Sequence, residues 1–318
     1  MKITAILFGL LLMHCCYGFA QQTSQYTQYM LNGMGINPAY TGEGGPLEIM
    51  AGKRFQWVGF PNAPVSQFAS AQKAFGKRGF YHGWHGVGAY VESDEGGMFS
   101  TKLISLTYAY HQRLAKDYTL SVGVSVGMTI LAMDGVLYDP TDPALAIYPP
   151  SVIVFPVISP GIRLKSKKLY FDLSAKQASD NQTVSLDGTK VLGTKTRLSP
   201  VIFFGFGRKY VSADYAWTFT PSVLVRSSLT FIPTAEANFL VYYHRMIGAG
   251  ITYRDRDAVA FMLQFRFRNK VVMGFGYEYS ISKVTAANSR EAMFGFTPNG
   301  APDHNPAERI AQCPGFDM

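Results

Sequence analysis

Residues 118–130, Tyr-Thr-Leu-Ser-Val-Gly-Val-Ser-Val-Gly-Met-Thr-Ile, alternate without a miss: Tyr118, Leu120, Val122, Val124, Val126, Met128 and Ile130 hold the even positions, and only Thr, Ser and Gly hold the odd ones. Strict period two marks an extended strand, whose successive side chains point to opposite faces. A charge-free bulky row opposite a row of small or hydroxylated residues suits a strand with lipid on one side and a crowded, polar barrel interior on the other. A half-buried strand of a soluble sandwich also alternates, so this stretch alone leaves both architectures open.

Outward from it, the first twenty residues predict export. Lys2 precedes an apolar run from Ile3 to Met13, and Gly18-Phe19-Ala20 places small residues where a signal peptidase cuts, so residues 1–20 are the expected signal peptide. That run is too short to span a bilayer, and no later stretch approaches the ~18–20 apolar residues of a membrane helix. Cys15 and Cys16 leave with the signal, since Met13 and His14 are poor residues ahead of a lipidated cysteine. Cys313 is then the one cysteine of the mature chain, with no role assigned.

Composition agrees with strands. Charged residues are 16% and aromatics 14%, and the 31 glycines, 19 tyrosines and 23 phenylalanines suit sheets and turns better than long helices. A mean hydropathy of +0.04 is low for a helical membrane protein and ordinary for a barrel, in which every second strand residue meets lipid. The net charge of +8 carries no Lys/Arg block interleaved with stacking aromatics, so nucleic acid is not an expected partner.

The alternation recurs: Leu47, Ile49, Ala51, Phe55 and Trp57; Ile104, Leu106, Tyr108 and Tyr110; Leu169, Phe171, Leu173 and Ala175; Phe239, Val241 and Tyr243; Val259 to Phe267; Val271 to Ile281. The last of these sets faces Gly274, Gly276, Glu278 and Ser280 across its own strand. About fourteen strands (12–14) are expected, at roughly 47–56, 65–75, 84–92, 101–112, 118–130, 151–163, 168–177, 197–206, 217–227, 234–243, 246–253, 258–267, 270–281 and 290–296. Strand 84–92 has a poor pattern, 151–163 is weakened by Pro156 and Pro160, and 182–192 reads as a loop hairpin. From the third strand on, connections alternate between longer (93–100, 131–150, 178–196) and short (113–117, 164–167), as they do when short turns face the periplasm and long loops face outward. Basic residues go to the short-turn end (Lys77-Arg78, Arg113, Lys116, Lys165, Lys167-Lys168, Arg208-Lys209, Arg245, Arg268) and acidic ones (Glu92, Asp94, Glu95, Asp134, Asp139, Asp142, Asp180, Asp187) to the other. Asp117 and Lys190 are exceptions. The basic rim suits phospholipid headgroups, or simply polar turns. The expected fold is therefore an all-β antiparallel transmembrane barrel: an N-terminal periplasmic or plug segment over 21–45, the barrel over 46–296, and a tail over 297–318.

Several pieces resemble, in order, the PorP/SprF family of type IX secretion system membrane proteins from Bacteroidetes. They are Gln25-Tyr26-Thr27-Gln28-Tyr29-Met30-Leu31-Asn32; Ile36-Asn37-Pro38-Ala39-Tyr40-Thr41-Gly42; Arg54 with Gln56-Trp57-Val58-Gly59-Phe60 and Ala63-Pro64; Tyr108 to His111; Pro221 to Leu224; Ala237-Asn238-Phe239; Gly276-Tyr277-Glu278-Tyr279; and Cys313-Pro314-Gly315-Phe316. The tail over 297–312 departs from a barrel ending on an aromatic strand residue. The resemblance implies an outer-membrane protein, in contact with outer-membrane lipid, that works with the type IX translocon or periplasmic components to export or hold a secreted cargo protein. In gliding relatives that cargo is a motility adhesin.

Chemistry is sought without result. His82 and His85 fall on opposite faces of a strand and read as interfacial aromatics rather than metal ligands. Asp134, Asp139 and Asp142 lack EF-hand spacing. No Gly-x-Ser-x-Gly elbow exists, and Gly123, Gly127, Gly205 and Gly207 lie in or at the ends of strands rather than in a phosphate loop. No enzyme, cofactor or metal is expected. The candidate partner-binding residues are Arg54, Gln56, Trp57, Gly59 and Pro64, with the alternatives that Trp57 belongs to an aromatic girdle and Arg54 is a lumen charge paired across the barrel. The expected function is a secretion-associated interaction barrel; a channel or transporter for small or hydrophobic molecules is the rival, and a soluble sandwich adhesin the third reading.

Overall fold

The computed structural model describes residues 23–45, 47–76, 83–115, 117–133, 152–179, 184–185, 199–228, 231–268, 270–282 and 288–298. The signal segment with Cys15 and Cys16, Lys77-Arg78, His82, Lys116, Asp134, Asp139, Asp142, Asp180, Asp187, Lys190 and the tail with Cys313 lie outside them.

Fourteen antiparallel strands form the wall: β1 Glu48–Phe55, β2 Val65–Phe75, β3 Trp84–Gly96, β4 Phe99–Ala115, β5 Tyr118–Met133, β6 Val152–Ser166, β7 Leu169–Lys176, β8 Val201–Arg208, β9 Trp217–Ser228, β10 Phe231–Tyr243, β11 Ile247–Arg254, β12 Ala258–Phe267, β13 Val271–Ser280 and β14 Ser289–Phe296. Each pairs with its neighbour in sequence, and β1 pairs with β14 from Ile49↔Phe296 to Phe55↔Arg290. The sheet therefore closes and leaves no edge, the condition for carrying backbone amides through hydrocarbon. Two-residue ladders, Val184–Ser185 on β6 and Tyr210–Val211 on β9, add to its ends. No described helix is long and apolar enough to cross a membrane.

The parities separate as the alternation predicts. Leu106, Val122, Val126, Leu173, Phe204, Phe239, Phe261, Leu263 and Phe275 point outward and are exposed, whereas Thr107, Ser121, Thr129, Ser174, Thr220, Asn238, Thr252 and Gln264 point inward and are buried. In a water-soluble fold that distribution would be inverted; with lipid outside, it leaves the apolar row in its preferred solvent.

Four expectations change. The 93–100 connection is not a longer loop, because β3 runs to Gly96 and β4 begins at Phe99, leaving Gly97 (φ +60) and Met98 as a tight turn. The acidic run Glu92-Ser93-Asp94-Glu95 belongs to the strand: Asp94 turns inward onto the Ser66 hydroxyl at 2.5 Å, and Lys176 reaches Glu92 at 3.2 Å. Pro156 and Pro160 sit inside a full strand. They share the backbone orientation of Ile158, whose carbonyl accepts from Ala178 N–H, so their missing donors face the β7 side, where the ladder begins only at Gly161. Finally, Lys165 is no rim residue: it turns inward to Glu43 at 2.9 Å.

Candidate functional site

The lumen is filled by the chain's own residues 23–45. Short turns, Tyr29–Leu31, Gly33–Ile36 and Pro38–Tyr40, keep this segment compact. Asn37 accepts the Ala39 N–H at 2.9 Å and Pro38 opens the last turn, as capping chemistry favours. From Tyr26 to Glu43 almost every residue is buried. Tyr26, Leu31 and Met34 pack against Met50, Phe68, Tyr90 and Met293 of the wall, and Tyr29 and Met30 against Val201, Phe203, Leu224 and Met262.

Charge-assisted bonds fix both ends of this plug. Near the lip formed by the 56–64 loop, the Glu291 carboxylate accepts the Thr27 N–H at 2.8 Å and the Gln28 N–H at 3.0 Å. Glu278 accepts the Thr27 hydroxyl at 3.0 Å and the Arg54 guanidinium at 2.8 Å. The chain of charges continues around the wall: Arg254 meets Glu278 at 3.1 Å and Glu236 at 3.2 Å, and Arg226 meets Glu236 at 2.7 Å. At the opposite end Arg163, fully buried, binds Asp172 at 2.6 Å and Glu43 at 3.0 Å, and its guanidinium lies 4.0 Å from the Tyr40 ring centre. Tyr40 donates to Asp172 at 2.9 Å. His111 bonds the Thr41 carbonyl at 2.8 Å, and Gly42 N–H donates to Gln72 at 2.9 Å. Burial alone would raise the Glu43 carboxyl, but Arg163 and Lys165 outweigh it and hold the group below its ordinary value.

Wall glycines make room. A methyl group on Gly86 would stand 1.8 Å from the Thr41 carbonyl oxygen, and one on Gly123 2.5 Å from the Pro38-Ala39 peptide. Gly86→Ala is therefore expected to lower barrel stability by about 1–3 kcal/mol, since the obstruction is backbone rather than a flexible side chain. The denaturant midpoint of the refolded barrel measures it; an unchanged midpoint would mean that the plug does not contact β3. Three cavities between plug and wall among the described residues are about 10–20 Å3 each.

The sequence candidates fall in two places. Arg54 faces the lumen, 2% exposed, as the paired strut described above. Gln56, Trp57, Gly59 and Pro64 lie on the lip between β1 and β2. Trp57 (φ 51) and Gly59 (φ +105) adopt left-handed backbone, the second demanding glycine. The loop is held by backbone bonds from Gln56 N–H to Pro64 O (2.9 Å), Val58 N–H to Asn288 O (2.8 Å) and Gly97 N–H to Asn62 O (3.0 Å). Val58 and Phe60 are left exposed on it, beside an open cleft of about 680 Å3 that Phe55, Val65, Phe275, Tyr277 and Arg290 also line. The plug contacts, Glu43, Asp172, Arg163, Glu278 and Glu291, were not singled out as a set from sequence. For the four on strands the signal was an ionisable residue on the inward parity; Glu43, in the segment before β1, carried none.

Residues 18–296 match the family model described as type IX secretion system membrane protein PorP/SprF. No curated protein matches the chain. Among solved structures the CymD monoaromatic hydrocarbon channel is similar, with 13% identity over 83% of this chain and 91% of that one and a TM-score of 0.50. The Ralstonia pickettii toluene transporter TbuX has 10% identity over 84% and 92%, with a TM-score of 0.49. A BamA from Haemophilus ducreyi lacking POTRA domains 1–3 has 7% identity over 79% and 70%, with a TM-score of 0.45. At such identities the CymD likeness shows a shared outer-membrane barrel fold.

Proposed function

The chain belongs to the PorP/SprF family of type IX secretion system membrane proteins, and from that premise we propose that it is a non-enzymatic docking barrel of the outer membrane rather than a conduit. It assists export or surface attachment of a secreted cargo, such as a gliding adhesin, by protein–protein contact with that cargo and with the translocon or its periplasmic components. The observation that carries this reading is the occupied lumen: residues 23–45 lie buried inside the wall and are bonded to it at both ends, with cavities of about 10–20 Å3 between the two. The lip loop supports it, because a rigid backbone presents Val58 and Phe60 beside an apolar cleft, which fits a protein surface better than a pore mouth. We assign Gln56, Trp57, Gly59 and Pro64 to that contact, and Arg54 to holding the strand end beneath it.

Affinity purification of the intact protein from native outer membranes in mild detergent tests the reading. A secreted protein or a secretion component is expected to come along, and Gln56→Ala with Trp57→Ala is expected to reduce its recovery on the order of tenfold. The barrel's heat-shift on electrophoresis should stay unchanged. A preparation carrying neither class of protein, together with measurable uptake of a small hydrophobic solute, would establish the transporter reading instead.

A further inference from the structure

The outward face of the barrel is not uniform. From β5 round to β13, outward strand positions among the described residues carry no Lys, Arg, His, Asp, Glu, Asn or Gln except Arg208, the last residue of β8. On β14, β1, β2, β3 and β4 the same parity carries Arg290, Lys53, Gln67, Lys73, His85, Glu95, Lys102 and Gln112. Four polar residues align across neighbouring strands: Lys53 opposite Gln67, Gln67 opposite Ser93, and Ser93 opposite Lys102. Each is two or three residues from the lip end of its strand, roughly 7–10 Å along it.

Below this row the wall recedes. Ala51 stands opposite Ala69, and Ala71 opposite Ala89, giving a floor of methyl groups where the rest of the barrel shows Leu, Val and Phe. Phe275 and Phe294 on one side and Ile104 on the other border a largely apolar cleft of about 750 Å3, open to the bilayer. Neither Lys53 nor Lys102 forms an ion pair among the described residues; Lys53 lies 5.0 Å over the Phe55 ring. The one acid alongside, Glu95, accepts the Ser93 hydroxyl at 3.2 Å and leaves Lys53, Lys102 and Arg290 in excess.

Orientation follows from the connections. Both ends of the barrel chain, Glu48 and Phe296, and the turns between β4 and β5 and between β6 and β7 lie at one end, while the connections 134–151 and 177–200 lie at the other. The first end is periplasmic and the basic row is at the outer-leaflet side.

We infer that this face of β14 to β4 is a binding site for a phosphorylated lipid of the outer leaflet. An acyl chain lies on the Ala51-Ala69-Ala71-Ala89 floor and the phosphorylated headgroup on Lys53, Gln67 and Lys102. Charge complementarity selects the occupant: an ammonium at the membrane surface is stabilised by an anionic headgroup, and a protein helix would gain nothing from two unpaired lysines at one height. The lysines stand three strand spacings apart, roughly 14 Å, so a headgroup with two phosphates engages both.

Native mass spectrometry of the full chain in neutral detergent provides the test, with diphosphorylated lipid A, its dephosphorylated form of identical acyl chains, and inorganic phosphate as separate additions. The phosphorylated lipid is expected to be retained on the order of tenfold more strongly than the dephosphorylated one. Lys53→Gln with Lys102→Gln should abolish that preference while leaving the heat-shift of the barrel intact, and Ala69→Trp should weaken both lipids by filling the floor. Equal retention of the two lipids, a preference that survives the lysine double variant, or inorganic phosphate displacing the lipid outright would overturn the assignment.

Discussion

Deletion of residues 23–45 is expected to turn a silent barrel into an ion-conducting pore. The wall has fourteen strands, between the about 8 whose own side chains fill the interior and the about 16–18 that leave an aqueous channel. What fills this lumen is therefore the plug. Its removal uncovers Arg54, Arg163, Asp172, Glu278 and Glu291, which water can solvate, so the empty lumen hydrates rather than collapses. Planar-bilayer recordings should show discrete openings for the shortened chain and none for the full one. Gly123→Leu offers an independent route, because its side chain drives into the Pro38-Ala39 peptide without shortening the chain. If the deletion variant folds by heat-shift and stays silent, or if the full chain already conducts, the lumen is not closed in the way the contacts imply, and the docking reading loses its main support.

How much of this was legible in the amino-acid sequence depended on whether the signal was periodic or tertiary. Strand parity was legible in most of the wall, most clearly at 118–130 and 258–267, and least at 84–92. Connection lengths were less so: Ser93 to Glu95 looked like loop because charge usually marks a turn, yet these residues extend β3, where Asp94, like Glu92 before it, finds a lumenal partner. The prolines of β6 misled similarly, because a propensity cannot say on which side of a strand the missing donor falls. The plug contacts were the least visible. Asn37-Pro38-Ala39-Tyr40 announces a turn, but that it rests on Gly123 and Gly161, some 85 and 120 residues away in sequence, is a fact of three dimensions. Among the candidates the same division holds: Arg54 went with Gln56 and Trp57 because they adjoin in sequence, but it lies on β1 and points into the lumen, whereas Gln56 and Trp57 fall past the strand's end in the lip loop.

Replacing Arg163 by alanine should cost the barrel about 3–5 kcal/mol, the penalty of leaving buried carboxylates without their counter-charge. Arg163 touches Asp172 of the wall and Glu43 of the plug at once, at 2.6 and 3.0 Å, while stacking on Tyr40 and Tyr170 at 4.0 and 4.7 Å. Lys165 still reaches Glu43 at 2.9 Å and keeps part of the plug's contact. Arg163→Lys should recover part of the loss, because an ammonium restores the charge and not the two-sided fork. Acid should act on the same contact. With the Glu43 carboxyl held below its ordinary value, its contribution is complete above the unfolded carboxylate range and disappears as pH falls through the depressed folded value. Urea midpoints of the refolded barrel at neutral pH and at about pH 3 would report both effects. In the wild type the midpoint should fall on acidification, and in Arg163→Ala it should start low and fall less, because part of the charge pairing that acid removes is already missing there. A neutral-pH midpoint unchanged by the alanine substitution would show that Arg163 does not hold the plug's periplasmic end.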